Sequence, residues 1–464
     1  MSEPKPTQAL ASFAARLDPA SIPAAVRRRV GWLFLDFLRV CSIGARLPWS
    51  DWARSYIREV AAPGEARALF SAERLNPQHA TFLNVAYGSS FDGDDTHVGA
   101  MLHPGVAAWS AVLATAQHTG ATGAEIAAAV VAGYETIIRI GLAVQPHHFQ
   151  RGFQSTGTCD LFGTAAAAGR LLFRDADAET RIAQAIGLAG GYSGGIAQFY
   201  YSGASGKRIQ AAHSAQCGVG AALLTWHGFS GPTDIIEGAG GFARAYAGQW
   251  SAETITAGLG EHFHLMDVLV KSHAAAARVA SGIDAMLALR REHGFAAAEI
   301  ATLHLGFPKI IEGRLTNPHP VDLQAAQMSL PFSVALAAKV PLAGGEVQSL
   351  TVGDFESGLR DPAVTALQDR TTLALDDEVE ALSNALSTAA RVGVALRDGR
   401  TFSRLVAAPK GSATNPFTGE EHGQRFMEEL ATRLPQEVCV RIIDMSRDLD
   451  RLDPVWLGKV LGAP

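Results

Sequence analysis

The residues best equipped for chemistry lie in one stretch, Phe91-Asp92-Gly93-Asp94-Asp95-Thr96-His97-Val98-Gly99-Ala100-Met101-Leu102-His103-Pro104-Gly105. Only 18% of the chain is charged, so a cluster of three carboxylates and two imidazoles does not suit a packed core, where unpaired charge is costly. Glycines and a proline break the run into a loop, the usual setting for catalytic groups. Pro104 suits the first turn of an apolar helix that begins near Val106. Three readings compete. The loop could be a solvated turn in which Asp94 or Asp95 caps a helix. It could hold a divalent metal on hard aspartate oxygens, although it lacks the twelve-residue calcium-loop spacing. The favoured reading is an acid/base site, with His103 titrating and Asp92 orienting it or balancing its charge.

Two further stretches carry polar groups among glycines. Tyr200-Tyr-Ser-Gly-Ala-Ser-Gly-Lys-Arg208 follows the glycine-rich run Gly187–Gly195. It is not a Walker loop, because position 201 is Tyr and position 208 is Arg. Lys207 and Arg208 are either surface cations or a clamp for a substrate carboxylate. His147-His148-Phe149-Gln150-Arg151-Gly152-Phe153-Gln154-Ser155-Thr156 reads as a helix end, and Gln154 to Thr156 offer neutral hydrogen bonds to a ligand. His213 and His273 are isolated and read as structural more readily than catalytic. No Gly-x-Ser-x-Gly elbow and no His-Glu-x-x-His zinc helix occurs, so the common hydrolase classes drop out.

The elements that must position these groups are mostly helical. Ala24 to Cys41 and Ile126 to Val144 carry apolar residues at helical spacing, and Thr122-Gly-Ala-Glu125 is a capping box. Alanine and glycine dominate, as in Gly163–Gly169, which allows close helix packing. Near Val270 the texture changes. A helix over 275–293 leads into Glu299–Phe307, which alternates like a strand, and Arg391–Leu405 reads as a hairpin closed at Asp398-Gly399. Helices return over 420–434 and 437–448. The expected fold is mainly α: a helical domain made of residues 1–267 and 406–464, with an α+β lid inserted over 268–405.

Length and composition frame the function. At 464 residues with 48% hydrophobic content the chain can bury a large core. Its net charge of −6 and lack of a basic block argue against a nucleic-acid partner. No signal-like apolar segment opens it and polar residues interrupt its apolar runs, so a cytoplasmic protein without a membrane partner is expected. Cys41, Cys159, Cys217 and Cys439 are far apart, which fits buried thiols better than disulfides or a zinc site.

In order along the chain, several segments resemble the MmgE/PrpD family, which includes 2-methylcitrate dehydratase, cis-aconitate decarboxylase and iminodisuccinate epimerase. They are Asn84 with Asp92-Gly-Asp-Asp-Thr96 and His103-Pro104, Gly133-Tyr-Glu135, Lys207-Arg208 with Ala215-Gln216, Gly228-Phe-Ser-Gly-Pro232, Ile236-Glu-Gly238, Lys271 with Ile283-Asp-Ala285, and Gln327-Met-Ser-Leu-Pro-Phe332. The resemblance implies a homodimer and a site between helical domain and lid. It also implies a cofactor-free, metal-free enzyme that moves a proton next to a carboxylate in a small di- or tricarboxylic acid. Asp92, Thr96, His103 and Lys207 fall on active-site positions of the family. The departures are Gln154 and Ala280 where histidines are usual, Phe332 for a tyrosine, and Ser89 for a histidine.

The leading expectation is a dehydratase-type lyase. His103 shuttles the proton, Asp92 fixes its tautomer and raises its pKa, and Lys207 with Arg208 clamps the carboxylate. A second proton donor is sought among His97, His213 and His273, and Asp95, Thr96, Gln154, Arg208 and His213 are candidate substrate contacts. Decarboxylase and epimerase chemistry are the alternatives within catalysis, and a carboxylate-binding protein that has lost catalysis is the alternative outside it.

Overall fold

The computed structural model describes residues 5–202, 204–344 and 348–462, with backbone alone at 201 and 202. Met1 to Pro4 and Gly203, which belong to stretches read above, lie outside them. The fold is mainly α. Long helices at Ala24–Gly44, Pro104–Thr119, Gly123–Val144, Ser155–Leu172 and Gly206–Trp226 build the larger part. Thr122 and Glu125 cap the Gly123–Val144 helix reciprocally. That helix is long and apolar enough to cross a membrane, but 94% of its most apolar window is buried among its neighbours. Close packing requires the small residues: a Cβ on Gly163 would stand 2.5 Å from the Gly133 carbonyl oxygen.

The main core joins residues from Leu10 to Ala274 with Phe417 to Leu461, while a second core spans Ala275 to Leu396. Helices Gly419–Leu430 and Gln436–Arg447 pack back on Ala24–Gly44. Strands β1 (Pro63–Arg67) and β2 (Arg74–Leu75) form a small ribbon in the helical part. The lid holds β3 (Ile300–Phe307), β4 (Thr371–Leu375), β5 (Ala390–Leu396) and β6 (Thr401–Val406) in the order β4-β3-β5-β6. The hairpin β5–β6 turns at Gly399, whose φ of 92° suits glycine. Along β5 alternate residues are buried, which places Val392 and Val394 in the lid core. Strand β4 pairs parallel to β3 and was not anticipated; its Thr-Thr-Leu-Ala-Leu run is short and half exposed, so its period is weak. The helix expected over 275–293 begins at Ala280, because Ala277–Val279 forms a tighter 3₁₀ turn first.

The two cores meet along the loop at 91–103 and the crossing segment 269–278. Gln327 in the lid donates to both the Phe91 carbonyl (2.6 Å) and the Ala274 carbonyl (2.8 Å). Thr96 and Leu269 exchange backbone hydrogen bonds at 2.8 Å. The loop is therefore held by both domains.

Candidate active site

A cavity of about 90 Å³ opens where these segments meet, and Asp92, Thr96, His103, Gln154, Lys207 and Lys271 all reach it. Asp92 adopts a left-handed conformation, φ 57°, which aspartate tolerates better than most side chains. That backbone turn presents the carboxylate to two ammonium groups at once. Lys207 Nζ lies 2.5 Å and Lys271 Nζ 2.9 Å from Asp92 Oδ1, and Lys271 also donates to the Asp92 carbonyl at 2.9 Å. Burial alone would raise the Asp92 carboxyl, but the two ammoniums outweigh it and hold it well below the usual carboxylate range.

His103 stands at the start of helix Pro104–Thr119, with its backbone N–H on Thr156 Oγ1 at 3.2 Å. Its Nδ1 lies 2.9 Å from the Asp95 carbonyl oxygen, an acceptor only, so Nδ1 carries the proton and Nε2 keeps its lone pair. Thr96 Oγ1 sits 3.0 Å from the same nitrogen. Burial first, and then Lys271 and Lys207, lower the ring to about 4 against the pull of Asp94 and Asp92. His103 is thus neutral near neutral pH and presents a base. This differs from the expected pairing with Asp92: the tautomer is set by a main-chain carbonyl, the nearest carboxylate to Nδ1 is Asp94 at 3.7 Å, and the pKa is lowered.

The structure separates the remaining sequence candidates. Asp95 is turned inward, accepting from Gly105 N–H (2.9 Å) and Tyr134 O–H (2.8 Å), and burial raises it to about 7. A side chain on Gly105 would collide with it. Arg208 points away, bonded to the Ser90 carbonyl and Gln324 and stacked over Trp49. His213 is exposed and borders a different hollow with Trp49 and Tyr56. His273 is buried between Asp284 (2.9 Å) and the Leu350 N–H (3.1 Å), outside the cavity. His97 is buried too, its Nδ1 accepting from Ala100 N–H. Gln154 borders the cavity, yet its side-chain oxygen caps the next helix at Gly157. None of the three histidines considered as a second donor lines the cavity.

Lys271, Arg278, Arg314 and Tyr200, all on the cavity wall, had been assigned no role from the sequence. Lys271 interrupts the apolar run Val268-Leu-Val270, and Arg278 is the cation in an otherwise alanine-rich segment; both were visible as charges where burial was expected. Tyr200 had no such signal. Its phenol is raised to about 12 by burial first and by Asp92, so it stays protonated. Asp92, Asp94 and His103 also place ligand atoms within 4.8 Å of one another. Lysine ammoniums already occupy the space beside both carboxylates, and His103 Nδ1 donates its proton to the Asp95 carbonyl and has no lone pair to give, so this group fits a cation poorly.

The MmgE/PrpD N-terminal domain model matches residues 8–255 and the MmgE/PrpD C-terminal domain model matches 273–451. The chain belongs to the MmgE/PrpD family. It is 28% identical to a cis-aconitate decarboxylase-like protein of Aspergillus oryzae over 98% of both chains. It is 26% identical to a cis-aconitate decarboxylase of Aspergillus terreus, covering 99% of this chain and 96% of that one. Against the human cis-aconitate decarboxylase the identity is 25%, over 82% and 78%. Within this MmgE/PrpD chain some of the segments quoted from the sequence come together in space: the Asp92–His103 loop, Lys207 and Lys271 share one cavity.

Proposed function

We propose that this protein is a lyase of small di- or tricarboxylic acids, and that decarboxylation of an unsaturated tricarboxylate is its first reading. The carrying observation is that, among the described residues, His103 is the one imidazole on a cavity whose other N–H and O–H groups belong to lysines, arginines, Tyr200, Thr96, Ser155 and Gln154. Decarboxylation asks for one proton delivery. The carbon–carbon bond to the departing carboxylate breaks, its electron pair passes through the adjacent double bond, and the far carbon takes a proton as carbon dioxide leaves. Bound anionic substrate raises the proton affinity of His103, so the ring can bring that proton with it. The apolar wall of Val98, Met101, Ile311 and Met328 solvates a carboxylate poorly, which favours its loss. The names of the full-length relatives support this choice.

Dehydration is the second reading, favoured by a neutral His103, which is ready to abstract a proton. Incubating the purified protein with cis-aconitate and following carbon dioxide by carbon NMR separates the two. Release of carbon dioxide supports the first reading, loss or gain of water the second, and deuterium uptake without change of mass an epimerase. Binding without turnover sinks all three and leaves a carboxylate-binding protein. The same reading carries a homodimer: Trp52, Tyr56 and Ile209 border an open apolar hollow of about 320 Å³. Light scattering in solution should give twice the chain mass, and a monomer would end that part.

A further inference from the structure

The cations of the cavity are not equivalent. Lys207 and Lys271 face two carboxylates, Asp92 at 2.5 and 2.9 Å and Asp94 at 3.7 Å from Lys271. In that group two ammoniums meet two acids, so little attraction is left for an incoming anion. Arg278 differs. Its Nη1 donates to Thr388 Oγ1 at 2.9 Å and its Nη2 to the Val98 carbonyl at 3.0 Å, both neutral acceptors. Among the described residues no carboxylate pairs with it. A guanidinium has five N–H donors in a fixed fork, and Arg278, which lines the cavity, places two of them on Thr388 and Val98. Burial lowers the guanidinium to about 10, a sign that its charge is poorly solvated. A cation so placed is costly unless an anion joins it.

Its two bonds also fix its position. Thr388 belongs to the lid and Val98 to the loop that carries His103, so the fork is held by bonds to protein groups on both sides of the cavity. Preorganised forks of this kind suit the two oxygens of a carboxylate. We propose that Arg278 receives a carboxylate of the substrate, and that it, more than Lys207, gives the site its affinity for a polycarboxylate. The lysines then serve mainly to hold Asp92 and the electrostatics around His103. The inference rests on the reading that the cavity takes a small di- or tricarboxylic acid.

Calorimetric titration of the full chain with tricarballylate, a saturated tricarboxylate that cannot react, tests both statements separately. Wild-type protein should bind it, and Arg278→Met should weaken binding about 30-fold, the order seen when a desolvated charge pair loses one partner. Arg278→Lys keeps the charge without the fork and should lose about tenfold. Unliganded melting of each variant checks the fold, and Arg278→Lys decides the matter if the methionine variant does not fold. Wild-type binding with unchanged affinity in the variants overturns the role of Arg278 alone. Absence of binding by wild type overturns the polycarboxylate reading and this inference with it.

Discussion

On the helical wall of the cavity, Lys207 and Lys271 converge on Asp92 while Asp94 stands beside Lys271 and His103; on the lid side, Arg278 donates to a hydroxyl and a main-chain carbonyl, and among the described residues no carboxylate pairs with it. The first group is internally matched, so its charges tune a proton site. The second is unmatched and can respond to a ligand. The difference teaches that the charge of a residue does not by itself identify what it does. Lys207, the obvious clamp in the sequence, is committed to the Asp92 carboxylate, whereas the less conspicuous Arg278 is bonded to neutral acceptors.

The comparison can be broken at four points. Replacing His103 with Ala should lower kcat by about 10²- to 10⁴-fold, the range for a general acid or base, with substrate affinity nearly kept; retained turnover would remove the ring from the mechanism. Its pH profile sharpens the same point. A neutral base gives kcat/KM that falls only as pH drops through about 4, whereas a protonated donor gives kcat/KM that falls as pH rises above it.

Lys271→Met leaves Asp92 and Asp94 under-compensated, and denaturant melts should show a loss of about 3–5 kcal/mol, as when a buried pair is broken. A stable variant would mean that the wall is less matched than its distances suggest. His273→Ala should cost about 1–3 kcal/mol by orphaning the Leu350 N–H and leaving Asp284 with the Lys410 N–H but without its imidazole partner. Turnover should stay within about twofold, since the ring lies outside the cavity; a large fall in kcat would reinstate His273 as a proton donor.

The smallest effect concerns Asp95. Its folded pKa of about 7 stands above the ordinary 3.8, so its protonated form contributes stability that is complete below about 3.8 and gone above about 7. Asp95→Asn should therefore gain on wild type as pH rises through that window, measured by melts across pH. A difference that does not move with pH would show that Asp95 is ionised throughout.

The sequence by itself determined the mainly α character, because helical spacing and the Thr122–Glu125 cap are local facts, and it marked Asp92 to His103 as too charged for a core. The alternation of Ile300–Phe307 and the Asp398-Gly399 turn were legible for the same reason: neighbouring residues carry the signal. Strand β4 was not legible, since its partner β3 lies some seventy residues away and its own period is weak. Nor could the chain say which histidine faces the cavity. His97, His103, His213 and His273 look alike as letters, and their fates were decided by the groups that meet each ring: Asp284 and the Leu350 N–H at His273, the Asp95 carbonyl at His103, and the Ala100 N–H at His97. The direction of the His103 shift was also a tertiary matter, because burial and two lysines from 207 and 271 act on it together. Local pattern sets which residues are available for chemistry; desolvation and long-range charge set which of them can perform it.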